Sequence, residues 1–218
     1  KWEGMVNDLD YARKVARHIG VECVEIPLDN SVCSRVREMI WHLDEPQADL
    51  APINVLLISE AARLNGDFVL LSGAGGDDIF SGYRRHVALQ NEYLWDWMPK
   101  PMLKGLRCLT KAFPSYNPLG RRLQKLFEYA DLSSNERLLR YFAWVPEKYA
   151  RSLFQDDFYN KIRNHDPFEV MRDTLLSYNF GSDRLEKMLF LDMRYFLTDH
   201  NLNYTDKMGM ACGIEIRV

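Results

Sequence analysis

The chain lacks several signatures that would assign it to a class at sight. Neither a GxxxxGK(S/T) phosphate loop nor a GxSxG elbow occurs, which argues against a P-loop NTPase or a serine hydrolase. Cysteine is sparse: Cys23, Cys33, Cys108 and Cys212 are widely spread without a CxxC pair, so neither a zinc knuckle nor a disulfide framework is indicated and a reducing cytoplasm fits best. No HxxxH or HxH spacing links His18, His42, His86, His165 and His200, which read as packing or surface residues rather than metal ligands. Cationic excess is also missing, since 28 Lys and Arg face 31 Asp and Glu, and nothing electrostatic points to nucleic acid. No run approaches the roughly 18 apolar residues of a membrane span. The opening Lys1-Trp2-Glu3-Gly4 does not resemble a signal peptide, and Lys1 in place of an initiator Met reads as a clipped chain.

What is present is an alternation of helical and strand patterns. Asn7 can cap a helix whose apolar positions Leu9, Ala12, Val15, Ala16 and Ile19 share a face, with Gly20 where such helices stop. Val21 to Ile26 reads as a strand. Val32, Val36, Met39, Ile40 and Leu43 repeat at helical spacing until Asp44-Glu45-Pro46 breaks the pattern. Pro52 in a first turn, the apolar run Ile53 to Leu64 and Gly66 give a third helix, and the short strand Phe68-Val69-Leu70-Leu71 follows. Such alternation predicts parallel strands joined by helices over residues 1–85, with ligands beyond the carboxyl ends of the strands. From about Tyr83 the strand patterns disappear and prolines punctuate apolar-periodic segments, which predicts an all-helical lobe over residues 86–218 that packs with the first part as one unit. Trp95-Asp96-Trp97 reads as core packing.

The predicted ligand edge is Ser72-Gly73-Ala74-Gly75-Gly76-Asp77-Asp78. Three glycines in four positions permit a tight turn whose N–H groups converge on an anion, and Ser72 adds a hydroxyl donor. Taken alone, the glycines equally fit the geometric needs of a strand-to-helix turn. Asp77 and Asp78 beside a phosphate would repel it unless a hard cation such as Mg2+ lay between them; the rival reading is a helix start, where acids favour the dipole. Asp44-Glu45-Pro46-Gln47-Ala48-Asp49 is a second candidate, with a solvated turn as the plain alternative. Lys207 and Arg217 bracket a glycine-interrupted stretch that could bind an acidic substrate or polyphosphate, or simply form a salt-bridged helix end.

Three segments together resemble the synthetase domain of the glutamine-dependent asparagine synthetases. Asp44-Glu45-Pro46-Gln47-Ala48-Asp49 is similar to that family's DEPxxD loop, and Leu71 to Tyr83 is similar to its LSGxGxDExFxGY motif. The end, Tyr204 to Ala211 with Gly213-Ile214-Glu215-Ile216-Arg217-Val218, resembles DRxSMAxxxExRVPFLD, cut off before its proline. The motifs keep family order and span nearly the whole chain. The resemblance implies a partial parallel-sheet layer of the adenine-nucleotide α-hydrolase (ATP pyrophosphatase) kind followed by the helical lobe. It also implies an ATP-dependent ligase that activates the aspartate side chain as an acyl-adenylate, releases pyrophosphate and transfers ammonia obtained from glutamine by an upstream glutaminase domain. Carried over residue by residue, Ser72, Gly73 and Gly75 would bind the nucleotide, Asp77 would hold Mg2+ and pyrophosphate, and Asp78, where the family usually has Glu, would support that site. Asp78 and Lys207 are the catalytic candidates, and Asp49 and Arg217 the substrate-binding ones.

Departures from the family pattern carry their own expectations. No SGGxDS pyrophosphate loop occurs in these residues, the glutaminase domain's cysteine nucleophile is absent, and the family's catalytic lysine lies downstream of Val218, so the chain alone is expected to be inactive. Ala74 stands where asparagine synthetases usually carry an acid, and a methyl group does no acid–base work. That position bears on the acceptor and the nucleophile. It favours an alternative, a related enzyme acting on another carboxylate; a non-catalytic scaffold that keeps the fold is a separate alternative, against which the retained pair Asp77 and Asp78 weighs. With part of the sheet missing, the isolated chain is expected to expose apolar strand surface and to aggregate.

Overall fold

The structure is a computed structural model that describes residues 8–27, 32–45, 47, 49–114, 117–178, 181 and 183–218. It is an α/β protein, mostly helical, with a small parallel sheet. The described residues divide into two compact units: those up to Ser72 together with Asn203–Val218, and Gly73–Leu202. This division follows packing, whereas the sequence expectation at residues 85 and 86 follows element type. It falls inside the Leu71–Tyr83 motif.

In the first unit, α1 (Asp8–Ile19), α2 (Val32–Leu43) and α3 (Ala51–Asn65) match the periodic segments. Gly20 at φ 74° and Gly66 at φ 88° stand just past α1 and α3, in the left-handed conformation that glycine adopts without a Cβ penalty. The expected Asn7 cap lies outside the described residues. Of the apolar positions of α1 only Ala16 is buried, and Val15 and Ile19 remain exposed. Strand β1 (Val69–Leu71) pairs in parallel with β2 (Glu215–Arg217) in the register Val69–Glu215, Leu70–Ile216 and Leu71–Arg217.

Two expectations are corrected here. Val21 to Ile26 forms no strand among the described residues; Val21 and Val24 are exposed, and a strand without a neighbour leaves its backbone groups unpaired. The segment 86–218 is not all helical, because it ends in β2. A three-residue strand is too short to display a period of two, so only its partner reveals it.

Between the second unit and β2 in the sequence lies helix α13, so numbered in chain order (Asn203–Ala211). It packs on α2 and α3 around Met39, Leu43, Ile53, Leu56 and Met208, all essentially inaccessible. Truncating such a side chain to Ala costs about 2–5 kcal/mol. Gly209 permits the close return of the chain: a Cβ there would lie 2.8 Å from the Ile214 carbonyl oxygen and 2.9 Å from Ile216.

The second unit holds α4 (Gly76–Ile79), α5 (Arg84–Gln90), a 3-10 turn (Asn91–Leu94), α6 (Lys100–Thr110), α7 (Pro118–Phe127), α8 (Ser134–Arg140), α9 (Glu147–Ser152), α10 (Asp156–Ile162), α11 (Glu169–Ser177) and α12 (Arg184–Leu191). A π-helix, Asp192–Leu202, follows. Its main core gathers Leu89, Leu138, Leu139, Leu175, Met188 and Leu191. A smaller cluster holds Trp95 with Leu103 and Ala130, whereas Trp97 is exposed. Buried Glu92 accepts from Arg137 Nε at 2.8 Å and Tyr141 Oη at 2.7 Å and pairs with Arg184, so its desolvated charge is met from several sides.

Candidate functional site

The sequence-predicted residues are divided between the two units. In the first, the Ser72 N–H donates to the Arg217 carbonyl oxygen at 2.7 Å, extending the sheet by one bond beyond Leu71 and bringing these two residues together at the carboxyl end of β1. The Arg217 guanidinium is exposed and its Nε lies 2.9 Å from Glu215 Oε1, two residues back on the same strand face. That carboxylate raises the Arg217 pKa through their hydrogen bond, and Glu215 is lowered in return.

Lys207 has a definite structural job. Its Nζ donates to the Leu43 carbonyl oxygen at 2.6 Å and lies 3.7 Å from Asp44 Oδ2, closing the carboxyl end of α2 where carbonyls are unsatisfied and a cation is favoured. Asp44 itself adopts φ 61°, unusual for a residue with a side chain, at the start of the acidic loop. Asn203 Nδ2 donates to Glu45 Oε1 at 3.3 Å, and Asp49 Oδ1 accepts from the Ala51 N–H at 3.0 Å, fixing the entry to α3. Helix α13 therefore ties down the same loop that the sequence singled out, and the plain reading of that loop as a turn has real bonds behind it. Pro46 and Ala48 of the motif lie outside the described residues.

In the second unit the glycine turn runs from Gly73, whose carbonyl oxygen accepts from the Gly76 N–H at 3.2 Å, into α4. Gly75 precedes α4 at φ 88° and is buried; an added Cβ would meet Leu197 side-chain atoms at 3.3 and 3.4 Å. Conformation and space both select glycine there. After α4 the Gly82 N–H returns to the Asp77 carbonyl oxygen at 2.9 Å, with Ser81 at φ 63° in the left-handed position.

Asp77 and Asp78 are neighbours with opposite fates. Asp77 is exposed. Asp78 is wholly buried: its Oδ2 accepts from Tyr83 Oη at 3.1 Å and from Asn201 Nδ2 at 3.2 Å, and the same Asn201 amide donates to Tyr83 Oη at 3.1 Å. Its Oδ1 has no hydrogen-bond partner among the described residues. Burial raises the Asp78 pKa, and the Asp192 charge adds to the rise, while the bonds from Tyr83 and Asn201 and the Arg85 charge oppose it. Burial likewise pushes the Tyr83 hydroxyl up to about 12. Behind Tyr83, Asp192 is held by Arg85 Nη2 at 2.7 Å, and His86 Nε2 lies 2.6 Å from its other oxygen. Arg85 also lies over the Tyr83 ring at 4.0 Å and the Phe196 ring at 4.6 Å.

This buried assembly was missed by sequence reasoning apart from Asp78. Tyr83 closes the recognised motif and carried a usable signal. Arg85, His86, Asp192 and Asn201 had none, since more than a hundred residues separate Asp192 from His86 and Asn201 from Asp78. His86 is indeed a packing residue, with an acid attached. Both Asp192 and Asn201 project from the π-helix, an arrangement that is rare and often found at functional sites.

Among the described residues, no three His, Cys, Asp or Glu side chains cluster as a metal cage. Asp77 offers one exposed carboxylate, which fits a Mg2+ that takes its other ligands from phosphate oxygens and water. Asp78 is shielded from solvent. Among the described residues, no helix is long and apolar enough to cross a membrane.

Comparison with known proteins agrees with the motifs. The chain is similar to a Mycobacterium bovis protein provisionally named a glutamine-hydrolysing asparagine synthetase, 26% identical over 97% of this chain and 31% of that protein. It is similar to glutamine-hydrolysing asparagine synthetase 1 of Bacillus subtilis, 25% identical over 97% of this chain and 32% of that protein. It is also similar to the amidase chyE of Penicillium rubens, 28% identical over 46% of this chain and 16% of that protein. The chain thus spans about a third of the length of the curated asparagine synthetases it matches. No solved structure matches it significantly. The profile of the family described as asparagine synthase covers residues 2–218, and the chain belongs to that family.

Proposed function

We propose that this chain is the middle of the synthetase domain of an ATP-dependent, AMP-forming amide ligase that makes asparagine from aspartate with ammonia drawn from glutamine. The observation that carries the reading is the family match along nearly the whole chain, coinciding with a glycine turn that leaves Asp77 exposed. In the proposed reaction the aspartate side-chain carboxylate attacks the α-phosphate of ATP and pyrophosphate departs. Ammonia then attacks the acyl carbon, AMP leaves, and the amine loses a proton. The parallel pair β1–β2 is read as part of an ATP-pyrophosphatase-type layer, and the domain division as an α/β portion over 1–85 with a helical portion over 86–218.

The residues take these proposed roles. Gly73 and Gly75 let the backbone approach the nucleotide, and Ser72 contributes a donor. Asp77 holds Mg2+, which when bound neutralises charge on the departing pyrophosphate. Asp78 acts through position: braced by Tyr83 and Asn201, it sets the turn that presents Asp77. Arg217 and Asp49 serve the acceptor, and Lys207 secures the acidic loop while presenting its ammonium there. Because the sequence holds no SGGxDS segment, adenylation is assigned to the whole protein and not to this chain alone. An upstream glutaminase domain and a cytoplasmic location complete the reading.

ATP–pyrophosphate exchange in the full-length protein tests it. Aspartate-dependent exchange that disappears in Asp77→Ala supports aspartate adenylation. Absence of exchange with aspartate in a protein that binds Mg-ATP points to the second reading, amidation of another carboxylate, which Ala74 favours because its methyl group replaces an acid. Loss of Mg-ATP binding as well marks a scaffold.

A further inference from the structure

The second unit contains a cavity of about 750 Å3, bounded by α6, α7, α8 and the segment leading into α9, in which none of the predicted site residues takes part. Basic residues dominate its charged lining, with Glu128 the only acid among the described residues that bound it. Two of the cations are already engaged: Arg137 with Glu92 and Asp96 at 2.8 and 2.5 Å, and Arg107 with Asp131 at 3.1 Å. The other four, Lys111, Arg121, Lys125 and Arg140, form no ion pair with described residues.

Arg140 is the telling member. Its guanidinium lies 4.7 Å over the Phe168 ring and 5.8 Å from the Tyr129 ring, and its Nε is shut off from solvent with no hydrogen-bond partner among the described residues. Arg107 Nε is in the same state. A buried donor without an acceptor costs about 1–3 kcal/mol, and gathering like charges around a cavity is unfavourable. The Glu136 and Asp166 carboxylates lie within electrostatic reach of Arg140, but neither accepts from its Nε, which leaves that donor for an added anion. Aromatic surface completes it. Trp144 and Tyr149 line the cavity and are largely exposed, offering flat faces to a ring.

We propose that this cavity binds a nucleoside diphosphate, its phosphates among Lys111, Arg121, Lys125 and Arg140 and its base against Trp144 and Tyr149. The volume lies within the range of small-molecule pockets, which favours a small ligand over a polynucleotide. The inference stands apart from the adenylation reading, which uses the glycine turn and not these residues.

Calorimetric titration of the full-length protein with uridine diphosphate tests it. Binding is expected, weaker for uridine, which lacks the phosphates. Arg140→Gln and Lys125→Gln should each weaken it by roughly tenfold, the usual loss when a charged phosphate contact goes. Because Lys125 is exposed, its variant folds normally even if Arg140→Gln does not. Asp77→Ala should leave uridine diphosphate affinity unchanged. The proposal is overturned if uridine diphosphate does not bind, if both cavity variants bind it as tightly as the parent, or if Asp77→Ala abolishes binding. Binding of RNA in place of uridine diphosphate, with a steep salt dependence, would overturn it too. Failure of the adenylation reading appears separately, as absent pyrophosphate exchange.

Discussion

Replacing Gly82 by Ala probes the placement of the Asp77 carboxylate without substituting a charged residue. A Cβ at position 82 would lie 1.9 Å from Asp77 Oδ1, 2.6 Å from its Cγ and 3.0 Å from its Cα. Ordinary contact begins at 3.4 Å, so the carboxylate must retreat by about 1.5 Å while the backbone also gives. Overpacking of this kind costs about 1–3 kcal/mol. If Asp77 holds the metal and pyrophosphate, a displacement of an ångström or more lowers exchange by about a hundredfold. Urea denaturation and ATP–pyrophosphate exchange on Gly82→Ala, Asp77→Ala and the double variant separate the two effects. Removing the Asp77 carboxylate removes two of the three clashes, so the double variant should be more stable than the sum of the singles by about 1 kcal/mol. Additive stabilities would refute the steric argument. A Gly82→Ala protein with parental exchange would refute the role given to Asp77.

Four further outcomes follow from the bonds and exposures described. Tyr83→Phe deletes the hydroxyl shared by Asp78 and Asn201 and should destabilise by about 1–2 kcal/mol in urea denaturation; a change near zero would mean the triangle is not formed in solution. The Asp78 pKa is raised on folding, so its contribution to stability is fully present below the ordinary aspartate value of about 4 and is lost as pH rises through its elevated folded value. The advantage of Asp78→Asn over the parent should therefore grow with pH across that window, and a pH-independent difference would contradict the assignment. Lys207→Met should cost about 1 kcal/mol through the lost closure of α2, and loss of exchange with stability unchanged would instead assign Lys207 to chemistry. The isolated 218-residue chain, which leaves Leu71 of β1 and Val15 and Ile19 of α1 exposed, should aggregate on scattering measurements, whereas a monomer that melts cooperatively would contradict this.

The sequence by itself determined the local elements and the family. Helices α2 and α3 and the glycines after α1 and α3 follow from periodicity and backbone freedom, which act within a few residues and are legible in one dimension. The motifs around Asp44, Leu71 and Glu215 were legible for the same reason, and they brought the candidate residues into view. Tertiary structure decided which candidates are buried and what they touch. Asp77 and Asp78 are identical in type and adjacent in sequence, yet one is exposed and the other is fixed by Asn201, a residue 123 positions away. The pairing of β1 with β2, the closure of α2 by Lys207 and the loss of the expected strand at 21–26 likewise depend on partners distant in sequence. Local propensity proposes a strand or a charge; only a neighbour brought in by the fold satisfies it, and no short window of sequence contains that neighbour.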